Sequence, residues 1–496
     1  MFKRSSGILM PIFSLPSPYG IGTLGEAAYD FVDFLRASGQ KYWQILPLGH
    51  TGFGDSPYQT FSTVAGNPYL IDLDILVNEN LITKKDLEHL PKSVRRVNYE
   101  KLKEAKFKIL RKAFVSAQKS LSMWTLLKDF ENENSRWVKD YALFMALKDF
   151  FHEVPLWEWP DKNIKLRESE AMHHYSDMLK EDINFYIFLQ FLFFKQWNFL
   201  KDYANEQGIQ IIGDIPIYPS ADSVDVWVNP QLFKVDVNLL PSGIAGVPPD
   251  LYSETGQLWG NPVYNWEVHK ADGFSWWIER IRNTLTFADV IRIDHFRGLC
   301  DYWEVPQGET TALNGQWMPG PKMDLFHAIQ GELGDIPIIA EDLGIITDEV
   351  REFLKESGFP GMRVMIFGFS ANEDNMYLPH NWEVNSIGYT STHDSETLRQ
   401  KLLELPEEDR KFALQYVRAT STSKKSIGLK AIETAFASPS SIVIVPIQDL
   451  LSLGVEGRIN LPGTIGGNWS WRLKENQLTN ALCEQLYNIT KTFKRC

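Results

Sequence analysis

Three acidic residues stand where an apolar run gives out. Asp294 ends "VIRID", Glu341 ends "IIAE" and Asp394 ends "STHD", with His295 following the first and His393 preceding the third. Two carboxyls about 5 to 5.5 Å apart can break an acetal and remake it with retention: one attacks the anomeric carbon, while the other protonates the leaving oxygen and then deprotonates the incoming one. Surroundings divide the roles. Arg292 precedes Asp294 by two residues on the same face of an extended segment, and a guanidinium that close favours the ionised carboxylate a nucleophile requires. Glu341 follows Ile338, Ile339 and Ala340, an apolar stretch that favours the neutral acid. Asp394 is left to bind hydroxyls and steady the positive charge of the transition state. Any one acid at a strand end is more simply a helix N-cap. Three together, two of them beside a histidine, favour the chemical reading.

Such acids act together only if the scaffold gathers them. Strand-like runs recur at 41–49, 208–218, 288–296, 336–344, 361–369, 386–394 and 440–449, separated by helical patterns. That alternation implies βαβ crossovers and a parallel sheet. Seven visible strands predict an α/β fold, a (β/α)8 TIM barrel whose second strand is hidden or displaced by an insertion, with its chemistry at the carboxyl ends of the strands. The 47 residues from Asp294 to Glu341 fit one long crossover, and the 53 from Glu341 to Asp394 hold a further strand. An open doubly wound sheet is the alternative, but "LPLGHTGFGDSPYQTF" carries neither GxGxxG nor GKS/T. The expected organisation is one catalytic domain over 1–496, with a mainly helical insertion at 85–205 and extended loops at the carboxyl face of the barrel.

Bulk properties narrow the ligand. A formal charge of −13 disfavours nucleic acid. Three cysteines without CxxC spacing indicate neither a disulfide framework nor a zinc site. No H-x-x-x-H or Asp-rich loop points to another metal, so no metal and no cofactor are expected. Pro11 and Pro16 interrupt the N-terminal apolar patch before a signal core forms. The most apolar run, 183–200, contains Asn184, Gln190 and Lys195, which makes it a buried helix and not a membrane span. A cytoplasmic protein is the resulting expectation.

The chain resembles the 4-α-glucanotransferases (amylomaltases or disproportionating enzymes, glycoside hydrolase family 77) of the α-amylase clan. The likeness runs from "GILMPIFSLPSPYGIGTLG" through "GDIPIYPSADSVDVW", "GVPPDLYSETGQLWGNPVYNW", "VIRIDHFRG", "AEDLG" and "STHD" to "RINLPGTIGGNWSWR". It implies Asp294 as nucleophile, Glu341 as acid/base and Asp394 as stabiliser, the same division the surroundings give. It further implies Asp214, Arg292 and His393 as contacts to the sugar at the cleaved bond. A mobile lid is implied at 245–268, carrying Trp259 over the glucan and Asp250 near the bond. An opposing loop at 455–472 would bring Asn468, and "DSPYQ" would place Ser56 and Tyr58 at neighbouring sugars. The chain departs from the family run T-H-D-N-D-T at Ser395 and Glu396, and has His50 where Pro is common.

The resemblance implies α-1,4-glucan oligosaccharides as both donor and acceptor, in a monomer or weak homodimer. A covalent glucosyl enzyme can also be resolved by water, so an α-glucan hydrolase on the same barrel is the rival. A non-catalytic glucan-binding protein is a second. A lid bearing Tyr252 and Trp259 that excludes water would favour transfer.

Overall fold

Eight parallel strands of three to six residues close on themselves into a barrel. In the computed structural model, which describes residues 2–496 except 91–94, 250–252, 373, 374, 422 and 424–426, the strands in chain order are β1 (Ser5–Leu9), β2 (Tyr42–Gln44), β3 (Gln210–Ile215), β4 (Gly243–Val247), β5 (Gln257–Pro262), β6 (Val290–Ile293), β7 (Asp301–Pro306), β8 (Gln316–Pro319), β9 (Ile338–Ala340), β10 (Gly361–Val364), β11 (Ser386–Tyr389) and β12 (Ile442–Pro446). The barrel order is β1-β12-β11-β10-β9-β6-β3-β2, closed by the pairing of β1 with β2. The remaining strands form a separate antiparallel sheet, β5-β4-β7-β8, from the excursions that follow β3 and β6.

The barrel is the architecture expected, with one correction. The strand hidden in the sequence is the first and not the second: Ser5–Leu9 pairs with both β12 and β2. Its sequence, SSGIL, offers two serines and a glycine where β-branched residues would advertise a strand. The glycine is required by packing, because a Cβ on Gly7 would lie 2.5 Å from the Tyr42 carbonyl oxygen and 2.6 Å from its Cβ.

Between β2 and β3 the chain forms helices Tyr99–Ala117, Leu121–Glu133, Val138–Phe150, Ser169–Met178 and Lys180–Glu206. The last contains the apolar run, and its polar residues have work to do. Gln190 accepts from Gly66 N (2.7 Å) and donates to Gly66 O (2.9 Å). Gln196 accepts from Asp72 N (2.7 Å) and donates to Asp72 O (3.1 Å). Two buried amides thus satisfy the backbone of the loop after β2, which would otherwise be stranded against an apolar helix. Among the described residues, no helix is long and apolar enough to cross a membrane.

Strand β6 is buried on both faces, as a barrel strand must be. Ile291 and Ile293 therefore pack on one side while Arg292 points into the barrel, where Asp214 of β3 and Met362 of β10 receive it. Register fixes this meeting, for Asp214 is the β3 partner of Arg292, and Ile293 is the partner of Ala340 in β9.

Gly7→Ala is expected to cost about 1 to 3 kcal/mol, since the Tyr42 backbone cannot retreat without disturbing the β1–β2 pairing. A lower denaturant midpoint with unchanged far-ultraviolet circular dichroism is the outcome to look for.

Candidate active site

Three adjacent barrel strands deliver the central groups. β3 carries Asp214, β6 carries Arg292 and is followed at once by Asp294, and β9 is followed at once by Glu341. Strand ends are held by the ladder itself: Asp294 N donates to Ile215 O at 2.9 Å, and Glu341 N to Ile293 O at 3.0 Å. The residue after Asp294, His295, adopts a left-handed backbone with φ of 50°, a conformation of the kind that costs about 1 to 3 kcal/mol and persists where surroundings enforce it. That turn aims its N–H at Glu341, which accepts from His295 N at 2.7 Å and from Leu343 N at 2.8 Å.

Arg292 lies at the centre of this group. Its Nη1 reaches both oxygens of Asp214 (2.7 and 2.6 Å) and Asp294 Oδ1 at 3.0 Å. Tyr58 donates its hydroxyl to Asp214 Oδ2 at 2.7 Å, and the Tyr58 hydroxyl oxygen lies 2.8 Å from His393 Nε2. With its own proton committed, Tyr58 accepts from His393, whose Nε2 also faces Asp394 Oδ2 at 3.0 Å. The rings of Tyr58 and His393 stack at 5.4 Å and 10°. One continuous hydrogen-bonded chain therefore joins Asp394, His393, Tyr58, Asp214, Arg292 and Asp294.

Exposure sorts these groups into two layers. The side chains of Asp214, Arg292 and His393 are 0%, 4% and 2% exposed, whereas those of Asp294 and Asp394 are 25% and 41% exposed. The first three lie beneath, and the two acids face the cleft.

Acidities follow. Burial raises Glu341 to about 8, with the neighbouring charge of Asp294 adding to it and Arg292 and the two backbone N–H groups failing to offset it. Arg292 favours the ionised Asp294, as its place in the sequence implies, but does not set the acidity alone. Burial raises Asp294 to about 6, Arg292 only partly opposes it, and Asp214 pushes it higher. The guanidinium is already engaged by Asp214, a neighbour invisible in the local sequence. Asp394 is the opposite case: burial raises it, but the charge and hydrogen bond of His393, then the amide of Asn460, outweigh that and hold it at about 2.

Other expected contacts are placed as follows. Trp259 in β5 presents its ring edge-on to His295 at 4.9 Å. Gln59 ties that strand to the loop after β2, donating to Trp259 O (3.2 Å) and Asn261 Oδ1 (2.7 Å). Ser56 accepts from Tyr58 N at 3.2 Å. Asn468 folds into its own loop, accepting from Leu461 N at 3.0 Å and donating to Thr464 O at 3.1 Å. Asp250 and Tyr252 lie outside the described residues. His50 is buried among Phe61, Tyr69 and Phe107 with Nδ1 at 2.9 Å from the Tyr141 hydroxyl; burial, with the charge of Lys103, lowers it to about 3 and keeps it neutral.

Sequence reasoning missed Asn460, whose Nδ2 donates to Asp394 Oδ1 at 2.7 Å. It also missed Trp469, whose ring lies 5.6 Å from Tyr58. Both fall inside the quoted run "RINLPGTIGGNWSWR", yet nothing in their spacing separates them from their neighbours. Among the described residues, no group of three His, Cys, Asp or Glu side chains is arranged to hold a metal ion.

A family model described as 4-alpha-glucanotransferase matches residues 10–479. A 4-alpha-glucanotransferase of Clostridium butyricum is 48% identical over 491 residues, 98% of this chain and 100% of the relative. Another from Aquifex aeolicus is 47% identical over 476 residues, 95% of this chain and 96% of the relative. Among solved structures, an amylomaltase from Streptococcus agalactiae in complex with acarbose superposes with a TM-score of 0.96 at 46% identity, covering 99% of this chain and 100% of that one.

A carboxyl whose folded acidity is weaker than its unfolded one holds a proton the unfolded chain has lost, so stability falls as pH rises through the window between the two values. For Glu341 that window runs from about 4.3, the unfolded value, to about 8. Glu341→Gln is therefore expected to melt at a higher temperature than the parent at pH 8 and at nearly the same temperature at pH 5.

Proposed function

The chain belongs to the 4-alpha-glucanotransferase family, and from that premise we propose that it moves α-1,4-glucan segments between maltooligosaccharides by double displacement through a covalent glucosyl–Asp294 intermediate. The proton of neutral Glu341 passes to the glycosidic oxygen as Asp294 Oδ attacks C1, the C1–O bond breaks and the shortened glucan leaves. An acceptor hydroxyl then gives its proton to the Glu341 carboxylate and attacks C1, and Asp294 departs with the configuration retained. Asp394, held as an anion, faces the positive charge that develops on the ring in both steps.

One observation carries this reading: two neighbouring strand ends hold carboxyls in unlike settings, Asp294 against the Arg292 guanidinium at 3.0 Å and Glu341 buried beside the charge of Asp294, which raises it further. Near pH 7 Asp294 is an anion and Glu341 a neutral acid, the pairing that acid-assisted nucleophilic attack requires. Adjacent strands lie about 4.8 Å apart, which supports the short carboxyl separation of retaining chemistry over the 6.5 to 9.5 Å of inversion. Transfer in place of hydrolysis is attributed to residues 245–268 as a lid, with Trp259 at its working face, closing against 455–472 to keep water from the ester. In this reading 1–496 is one catalytic domain and 85–205 its scaffold.

Purified protein given maltotriose is expected to produce a ladder of shorter and longer oligosaccharides with little gain in reducing ends; glucose and maltose alone, with reducing ends rising, would mean a hydrolase. A 5-fluoro-α-glucosyl fluoride should add its mass to the peptide bearing Asp294 and to no peptide in Asp294→Asn.

The pH profile has a stated sign. Activity needs Asp294 ionised and Glu341 protonated, so kcat/KM should rise through about 6 and fall through about 8. A profile still rising at pH 9 would remove Glu341 from the acid role.

A further inference from the structure

Asp394 differs from the other two acids in how it is held. Strand β11 ends at Tyr389, five residues before it, so no ladder hydrogen bond fixes its position. Side chains do the work instead: His393 grips Oδ2 and Asn460 grips Oδ1 at 2.7 Å. Asn460 belongs to the opposing loop, 66 residues further along the chain.

What holds Asn460 leads back to the departure at 395–396. Arg458 Nε donates to Asn460 O at 2.9 Å, and Arg458 Nη1 lies 3.6 Å from Glu396 Oε1. Both partners are mostly shielded, at 18% and 25% side-chain exposure. Glu396 in turn follows Asp394 by two residues, across a turn that Ser395 closes by accepting from Thr392 N at 2.9 Å. The contacts form a ring, from Asp394 to Asn460, along the backbone to Arg458, across to Glu396 and back through Ser395 to Asp394.

We infer that Asn460 is a positioning residue for Asp394, and that the Glu396–Arg458 ion pair seats Asn460, so that the stabilising carboxylate takes its orientation only when the 455–472 loop is docked. Asp394 retains 41% exposure and would swing between rotamers if either grip were lost. A carboxylate must be fixed within about half an ångström to act on a charge that exists only in the transition state. Deleting the amide donor therefore weakens transition-state binding by freeing Asp394. In this inference the Glu396 side chain acts on Asp394 through Arg458 and Asn460. The ring also gives Ser395 and Glu396 a role in this chain, one as the clasp of the turn and the other as the anchor for Arg458.

The inference rests on Asp394 being the stabilising acid, and a double-mutant cycle tests it. Asn460→Ala should lower kcat about 10- to 100-fold with KM nearly unchanged. Glu396→Gln should lower kcat about fivefold. The double variant should match Asn460→Ala alone, because the ion pair has nothing left to seat. Wild-type kcat in Asn460→Ala, or losses that multiply in the double variant, would overturn the inference. Melting curves accompany each variant; if Asn460→Ala does not fold, Asn460→Leu, which keeps the volume and deletes the donor, is expected to show the same loss. Asp394→Asn separates the two levels. If it retains full activity, the proposed role of Asp394 fails; if it is inactive while Asn460→Ala is not, only the positioning role fails.

Discussion

A single buried guanidinium makes this site possible. Asp214, Asp294, Glu341 and the Tyr58 hydroxyl all crowd toward Arg292, whose side chain is 4% exposed. Removing carboxylates from water is costly, and an uncompensated one takes up a proton. Arg292 supplies one positive charge, and geometry decides who receives it. Asp214 takes it through both oxygens at 2.6 to 2.7 Å, leaving Asp294 a contact at 3.0 Å. Burial then wins at Asp294 and wins by more at Glu341. The outcome is a pair of carboxyls that do not both ionise near neutrality, and that inequality is the chemical resource of the site.

The barrel converts that electrostatic arrangement into a fixed one. Three neighbouring strands in register leave Asp214 opposite Arg292, and Asp294 level with Glu341. None of these relations depends on a flexible loop. Rigid placement carries its own cost: His295 is held in a left-handed backbone, and two carboxyls sit where they would not choose to ionise. The apolar strands and the helices packed around them supply the stability against which such local strain is set.

How much of this could be read in the sequence depends on whether the deciding contact is local. Apolar runs alternating with helical patterns revealed seven barrel strands, and three of them closing on an acid pointed to Asp294, Glu341 and Asp394, because a strand buried on both faces leaves an unmistakable pattern. Ser5–Leu9 escaped because its requirement is close approach to Tyr42, which selects glycine and small residues over β-branched ones. The upward shift of Asp294 was out of reach for a related reason. Arg292 is two residues away in sequence, but its stronger partner, Asp214, is 78 residues from it. Asn184, Gln190 and Lys195 argued against a membrane span from composition alone, yet the partners of Gln190 and Gln196 on the loop after β2, 124 residues distant, were beyond reach. Asn460 and Trp469 were hidden in the same way, within a recognisable run whose individual side chains carry no periodic mark.

The third acid follows a different rule from the first two. Asp294 and Glu341 are placed by backbone, so their positions survive whatever the loops do. Asp394 stands on a loop, and its orientation depends on His393 below and on Asn460 from across the cleft. In the proposed mechanism the barrel alone accounts for attack and proton transfer, while charge stabilisation falls to a contact between two loops. In that division the loops that cover a sugar also complete the electrostatics acting on it. A departure such as Ser395 and Glu396 can then be accommodated at the rim, because it alters how one loop is fastened to another and leaves the strand-borne pair where the register put it.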